Sequence, residues 1–147
     1  MGDNIILPEI LVTELKIIEV VGGNVFHCMK KTDNGFHEFG EAYFTNVKSG
    51  QIKAWKMHNK MTLNLTVPRG KVKFVFVSPE NLNKFHLIEA GIDDYKRITV
   101  KPGVWFGFMG ISDEESLILN IANIEHDSNE VFKKDVDDIK FKWKKRS

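Results

Sequence analysis

Two side chains capable of acid–base and electrostatic chemistry, Lys56 and His58, lie close together in the stretch Gly50–His58. Successive side chains of an extended strand alternate between faces, so residues two apart point the same way. An imidazole exchanges protons near neutral pH and a lysine carries positive charge. Placing both inside an apolar barrel is costly and is typical of a functional site. The alternation alone does not decide which face is interior, because the opposite face carries Lys53 and Trp55.

Strand-like segments surround this stretch on both sides. Turn residues such as Asp33-Asn34-Gly35 and Pro68-Arg69-Gly70 separate them at spacings of roughly ten residues. This spacing favours a β-sandwich or closed barrel over alternating strands and helices. We expect one short helical patch over Asp127–Lys134. The predicted strands are Ile10–Val21, Glu41–Val47, Ile52–His58, Leu63–Val67, Lys71–Val77, Tyr95–Val100, Ser116–Ile121 and Ile139–Trp143.

The length and charge of the chain limit its organisation and its partners. All 147 residues fit one domain, and we expect residues 1–8 and 144–147 to be flexible tails. The 21 basic and 20 acidic residues leave a formal charge of +1, which favours neither nucleic acid nor a membrane surface as a partner. Cys28 is the only cysteine, and Met1–Leu7 lacks the basic and apolar regions of a signal peptide. We therefore expect a cytoplasmic protein.

Five positions reproduce the spacing of the first cupin motif, in which two His and one Glu would bind a metal ion. They are Gly50, Lys56, His58, Leu63 and Gly70. Among the ligand positions only His58 keeps a ligand, and Phe106 stands where the last His of the second cupin motif would fall. One imidazole does not make a site for a divalent ion that needs three or more protein ligands. The resemblance implies an all-β, cupin-type double-stranded β-helix, a jelly-roll barrel, with no metal and no other cofactor.

Metal-free cupins of this pattern resemble the dTDP-4-dehydrorhamnose 3,5-epimerase family, and in particular a short-chain subgroup. The motifs of the subgroup are roughly E-x-Y-F-S, I-K-G-W-H-x-H and M-T-x-N. The corresponding stretches here are Glu41–Thr45, Ile52–His58 and Met61–Asn64. The block 102–108, Glu130 and the closing stretch Ile139–Trp143 keep the order and spacing of the family, so the resemblance runs from Asp33 to Trp143.

The resemblance implies an isomerase or epimerase that acts on a nucleotide-linked 4-keto-deoxyhexose. His58 matches the base of the family, which removes a proton from the carbon next to the keto group. Lys56 would stabilise the enolate that forms. We assign Asp137 as the carboxylate that holds the second ring nitrogen of His58, with Asp135 and Asp138 as alternatives. The residues assigned to substrate binding are Tyr43, Lys53, Asn64 and Trp105.

The activity itself stays open at this point. Leu119 stands where the second proton carrier of the family, a Tyr, would fall. The alternatives are epimerisation at one carbon, keto-isomerisation with a single base, or a non-catalytic cupin that binds a sugar or sugar nucleotide. A hydrogen-bonded structural hydroxyl is the alternative for Tyr43, and a core position is the alternative for Trp105.

The resemblance also implies a homodimer, because small barrels of this family exchange N-terminal strands. The stretch Ile10–Val21 is long and apolar, and an isolated barrel would leave it partly exposed.

Overall fold

The structure, a computed structural model, describes residues 3–144. Most of the strands are rich in β-branched and aromatic residues, as the sequence pattern predicts. The strands are β1 (Asp3–Leu7), β2 (Ile10–Glu14), β3 (Ile17–Ile18), β4 (Val25–Phe26), β5 (Glu41–Val47), β6 (Ile52–His58), β7 (Leu63–Arg69), β8 (Lys71–Val77), β9 (His86–Gly91), β10 (Lys96–Val100), β11 (Trp105–Gly110), β12 (Ser116–Ala122) and β13 (Val131–Lys133). A single 3-10 turn, Val136–Asp138, follows β13 among these residues.

Two antiparallel sheets face each other and enclose the core. One has six strands in the order β1-β2-β10-β7-β12-β5, and the other has five in the order β13-β6-β11-β8-β9. Strands β3 and β4 form a separate ribbon. Strands adjacent in a sheet are mostly distant in sequence, as in a jelly roll. The all-β, cupin-type jelly-roll barrel expected from the sequence is confirmed.

The space between the sheets is filled by apolar side chains from both. Val47, Phe74, Phe76 and Ile98 are fully buried there. Gly70 makes the β7–β8 turn with a φ of +81°, and a Cβ at this position would lie 2.2 Å from Ser116 Oγ. Only glycine therefore allows β7 and β8 to turn this tightly against β12.

A second apolar cluster lies on the outer face of the five-stranded sheet. Trp55, Trp105 and Ile139 are buried there, and Phe141 and Trp143 pack against them. The ring centroids of Trp55 and Trp143 lie 5.4 Å apart. The C-terminal segment thus covers the sheet as an irregular strap, and the strand predicted at Ile139–Trp143 is wrong.

Several other local predictions differ from the structure. Asp3–Leu7 pairs with β2 instead of forming a flexible tail over residues 1–8. Ile10–Val21 is divided into β2, which pairs with β10, and β3, so it is not one free strand. Asp127–Lys134 contains β13 and no helix, because its residues complete the five-stranded sheet beside β6. Residues 1, 2 and 145–147 lie outside the described residues. Of the C-terminal tail expected over 144–147, the structure therefore describes only Lys144, which has no regular secondary structure.

Candidate active site

A β-bulge in β6 sets the direction of the polar side chains. Phe106 of β11 lies opposite Lys56, but Gly107 lies opposite Ala54, so Trp55 has no partner on β11. Trp55 instead exchanges backbone hydrogen bonds of 3.0 and 3.1 Å with Lys134. A bulge adds one residue to one strand and changes which side chains share a face.

The bulge brings both lysines of β6 to the inner face of the sheet. Phe106 and Phe108 are two residues apart and share that face, and they lie opposite Lys56 and Lys53 respectively. Side chains of directly opposite residues point to the same side of a sheet. Lys53 and Lys56 therefore line the same cavity although they are three residues apart. The expectation that Lys53 lies on the face opposite to Lys56 is wrong for this reason.

His58 lies at the end of β6 and is held by a buried carboxylate. Its Nδ1 is hydrogen-bonded to Oε2 of Glu130, and the two side chains are 8% and 2% exposed. The other oxygen, Oε1, accepts backbone N–H groups of Asn59, Lys60 and Met61 at 3.2, 2.8 and 2.9 Å. Since Nδ1 donates to a carboxylate, the lone pair of His58 lies on Nε2.

The environment of Glu130 keeps this carboxylate ionised. Burial alone would raise its pKa, but hydrogen bonds from His58 and from the backbone of Met61 and Lys60 outweigh burial and hold the pKa below its ordinary value. An ionised Glu130 can accept hydrogen bonds but cannot donate one. It therefore fixes the tautomer of His58 that has a free Nε2.

Positive charge gathers around the same cavity. Lys133 of β13 lies directly opposite Lys56 and, like Lys53, lines the cavity. Burial, followed by the charges of Lys133 and Lys53, lowers the pKa of Lys56 below its ordinary value. His126 and one carboxylate, Asp135, also line the cavity. Lys134 belongs to the lining too, but its ammonium lies 5.2 Å from the ring centroid of Trp105, in the outer cluster. This arrangement favours an anionic ligand.

A hydroxyl group enters the cavity from the six-stranded sheet. Tyr43 of β5 lies opposite Asn120 of β12, and Asn120 Nδ2 donates to Tyr43 Oη at 3.0 Å. Both residues line the cavity, which has a volume of about 570 Å³ between the two sheets. A cavity of this size, with apolar walls and a few convergent polar groups, is typical of a small-molecule site. The apolar part of the wall includes Leu63, Leu65 and Phe106.

Solved structures with the same architecture cover most of the chain. The enzyme RmlC of Legionella pneumophila Philadelphia 1, a dTDP-6-deoxy-D-glucose-3,5-epimerase in complex with dTDP-4-keto-L-rhamnose, is 15% identical, with a TM-score of 0.79 over 93% of this chain and 79% of that one. The dTDP sugar isomerase of Desulfovibrio desulfuricans G20 is 30% identical, with a TM-score of 0.86 over 92% of this chain and 91% of that one. The chain belongs to the dTDP-4-dehydrorhamnose 3,5-epimerase-like family.

Another solved structure shares the fold of this epimerase-like chain. The sugar 3,4-ketoisomerase QdtA of Thermoanaerobacterium thermosaccharolyticum, in complex with TDP, is 19% identical, with a TM-score of 0.75 over 88% of this chain and 90% of that one. No protein-family model and no curated protein matches the chain.

The structure brings together four of the residues that the sequence assigned to the site of this epimerase-like protein. His58, Lys56, Lys53 and Tyr43 all line the cavity. Asp137 does not contact His58, because it lies in the 3-10 turn beyond β13. The chain has crossed to the outer face of the sheet there, where the carbonyl of Val136 accepts the indole N–H of Trp55 at 3.1 Å. Glu130 takes the place expected for Asp137.

Two residues assigned to substrate binding lie outside the cavity. Asn64 is 3% exposed, and its side chain accepts Thr99 Oγ1 at 2.7 Å and donates to the Gly35 carbonyl at 3.1 Å. Trp105 lies in the outer cluster, opposite Val77. The side chains of Asn64 on β7 and Trp105 on β11 thus point away from the cavity.

Sequence reasoning missed several residues of the site. Glu130 kept the spacing of the family but received no role, because an Asp was expected as the partner of His58. Lys133 and Asn120 became visible only through strand pairing, which places them beside Lys56 and Tyr43. The alternation of Val131 and Lys133 after Glu130 is the pattern that could have indicated a strand here.

The described part of the chain contains no cluster of three or more His, Cys, Asp or Glu side chains that could hold a metal ion. The absence of a metal cofactor stays a prediction, and elemental analysis of the purified protein tests it. Within residues 3–144 no helix is long and apolar enough to cross a membrane.

Proposed function

We propose that this protein is an isomerase or epimerase that acts on a dTDP-linked 4-keto-6-deoxyhexose by removing the proton next to the ketone. The observation that carries the proposal is the buried pair of His58 and Glu130 at the wall of a cavity large enough for a ligand. The relative from Desulfovibrio desulfuricans, which the chain matches over almost its whole length, is a dTDP sugar isomerase.

In the proposed reaction, His58 Nε2 takes the α-proton and becomes an imidazolium. The negative charge of Glu130 stabilises this imidazolium, and its bonds to three backbone N–H groups keep the carboxylate in place. The electron pair of the broken C–H bond moves toward the carbonyl oxygen and forms an enolate. Lys56, on the same face of β6, stabilises the charge on that oxygen.

The lysines at the cavity would recognise the nucleotide part of the substrate. A dTDP-sugar carries a diphosphate, and Lys53 and Lys133 border the cavity without a carboxylate partner among the ion pairs of the described residues. An ammonium group binds phosphate oxygens through charge and hydrogen bonds. We assign these two lysines to the diphosphate and Lys56 to the sugar.

Solvent deuterium exchange tests the function directly. The protein is incubated in deuterium oxide with dTDP-4-keto-6-deoxyglucose and, separately, with dTDP-4-keto-L-rhamnose, and the sugar protons are followed by NMR. We expect deuterium at a carbon next to the ketone in at least one of them. Tight binding without exchange would instead favour a non-catalytic sugar-nucleotide-binding cupin, for which the leucine at position 119 is the supporting observation.

We further propose that the protein is a homodimer that works in the cytoplasm. Strand β1 is an edge of the six-stranded sheet, and Ile5 on it is 76% exposed. An apolar edge strand is a surface that a second copy can cover. Light scattering at micromolar concentration should give twice the chain mass, and Ile5→Lys should shift the protein toward monomer.

A further inference from the structure

The segment between β4 and β5 contains an Asn-Gly pair, Asn34-Gly35, whose chemistry the proposed function does not use. Asn34 is exposed. In such a pair the backbone nitrogen that follows the asparagine can attack the carbon of the side-chain amide. A glycine leaves this nitrogen unhindered, because it has no Cβ. The pair therefore has the composition of a site that loses ammonia spontaneously.

The fold requires the glycine of this pair. Gly35 has a φ of +93°, and a Cβ at this position would lie 2.6 Å from Thr99 Oγ1. Within residues 3–144 the N–H of Gly35 donates no hydrogen bond, whereas its carbonyl accepts Asn64 Nδ2 at 3.1 Å. The attacking nitrogen is thus present for a structural reason, and no hydrogen bond has to break before it reacts.

The side chain of Asn34 fastens the first strand to this turn. Its Nδ2 donates to Asp3 Oδ2 at 2.7 Å, and the other oxygen of Asp3 accepts the hydroxyl of Thr13 at 2.8 Å. The hydrogen bond from Asn34, followed by that from Thr13, holds the pKa of Asp3 below its ordinary value. Asp3 is therefore a carboxylate at neutral pH. It is the first residue of β1, an edge strand, so one side-chain amide ties this edge to the turn.

A new negative charge at position 34 would meet carboxylates that are already present. Asp33 pairs with Arg97 Nη1 at 3.3 Å, and the same guanidinium donates to the backbone carbonyls of Cys28 and Asn34 at 2.7 and 3.3 Å. Arg97 is 1% exposed, so its charge is already engaged in this loop. A carboxylate can accept hydrogen bonds but cannot donate one to Asp3.

We propose that Asn34 is a site of spontaneous deamidation in the folded protein and that its conversion releases the start of β1. The nitrogen of Gly35 forms a bond to Cγ of Asn34, the bond from Cγ to the side-chain nitrogen breaks, and ammonia leaves with the proton that Gly35 gives up. Water then opens the succinimide ring at either carbonyl, which gives aspartate or isoaspartate. Both products place a carboxylate beside Asp3 where a hydrogen-bond donor was, and like charges at this distance repel.

Peptide mapping of the aged, folded protein tests the site. Wild type and Asn34→Ala are kept at mildly alkaline pH, circular dichroism confirms that they stay folded, and tandem mass spectrometry follows the tryptic peptide 32–48. The same peptide contains a control, Asn46, which lies in β5 before Val47. We expect conversion at Asn34 to exceed that at Asn46 at least about tenfold, because valine hinders the attack and glycine does not. Part of the product should be isoaspartate, the mark of a succinimide.

Release of β1 is tested with Asn34→Asp, which makes one product directly. Hydrogen exchange of the β1 amides is compared in wild type, Asn34→Asp and Asn34→Ala. We expect exchange to be at least about tenfold faster in Asn34→Asp than in wild type. The increase in Asn34→Ala should be smaller, since this variant loses the donor without adding a charge. Added salt should bring Asn34→Asp closer to Asn34→Ala, because it screens the repulsion from Asp3.

Three results would overturn the inference. Conversion at Asn34 in the unfolded chain but not in the folded protein would show that the turn protects the pair. Conversion no faster than at Asn46 would remove the special role of the glycine. Equal exchange of the β1 amides in wild type and Asn34→Asp would separate the modification from the strand. None of these measurements uses a sugar nucleotide, so their outcome is independent of the proposed function.

Discussion

The carboxylate of Glu130 joins Nδ1 of His58 to the loop that follows β6. One oxygen binds the imidazole, and the other accepts the N–H groups of Asn59, Lys60 and Met61. Replacing Glu130 therefore affects both the protonation of His58 and the local backbone. The two effects can be separated by the choice of substitution.

Glu130→Gln should abolish catalysis while it preserves most of the fold. The amide oxygen can still accept the three N–H groups, but the NH₂ group must then donate to Nδ1 of His58. This moves the ring hydrogen to Nε2 and removes the base. We expect α-proton exchange to fall at least about a hundredfold. Asp137→Asn is the matched control and should retain wild-type exchange. Loss of exchange in Asp137→Asn together with wild-type exchange in Glu130→Gln would instead make Asp137 the partner of the imidazole.

Glu130 should also make stability depend on acid pH. Its pKa in the folded protein lies below the ordinary value of 4.5, so the stabilisation is fully present above that value. It is lost as the pH falls from 4.5 through the lower pKa of the folded state. Thermal unfolding should show wild type losing stability over this range more steeply than Glu130→Gln. Parallel curves for the two proteins would contradict the assignment.

Lys56 should have opposite effects on stability and on activity. The pKa of Lys56 lies below the ordinary value of 10.5 in the folded protein, so the charged form destabilises the fold at neutral pH. This loss of stability disappears as the pH rises through the folded pKa toward 10.5, because the lysine becomes neutral. Lys56→Met should therefore raise the melting temperature at pH 7, with a smaller gain near pH 10. Exchange should fall, since the enolate loses its nearest charge. A lower melting temperature at pH 7 would contradict this account of Lys56.

Gly107→Ala should disturb the bulge that aligns Lys53 with Lys56. A Cβ at position 107 would lie 2.5 Å from Ala54 Cβ, so β11 or β6 must move. Such overpacking costs roughly 1–3 kcal/mol of unfolding free energy. Ala54→Gly removes the atom that clashes, and the double variant should recover part of the loss in a denaturant titration. Equal stability of Gly107→Ala and wild type would show that the strands tolerate a wider spacing.

The sequence predicted the parts of the fold that follow from local pattern. Glu41–Val47, Ile52–His58 and Lys71–Val77 are strands with the predicted bounds, because apolar alternation determines them. The strand Trp105–Gly110 is visible in the sequence only as part of a motif, because Gly107 and Gly110 interrupt its apolar pattern. Ile139–Trp143 has the composition of a strand but forms an irregular strap, because it packs onto the outer cluster instead of pairing with a neighbouring strand.

Those parts of the candidate site that depend on single residues could be predicted from the sequence. His58, Lys56 and Tyr43 followed from residue type and from the spacing of the family. The partner of His58 did not, because strand pairing, and not distance along the chain, brings Glu130 to the imidazole. The position of Lys53 depended on a bulge, which no alternation rule predicts.

The central claim is that His58 removes a proton next to the ketone of a dTDP-linked 4-keto sugar. The most direct measurement compares deuterium uptake from solvent into dTDP-4-keto-6-deoxyglucose and dTDP-4-keto-L-rhamnose by wild type and His58→Asn, with circular dichroism confirming that both are folded. The account predicts uptake by wild type and at least about a hundredfold less by His58→Asn. Equal uptake by the two folded proteins would contradict it and place the base on another residue.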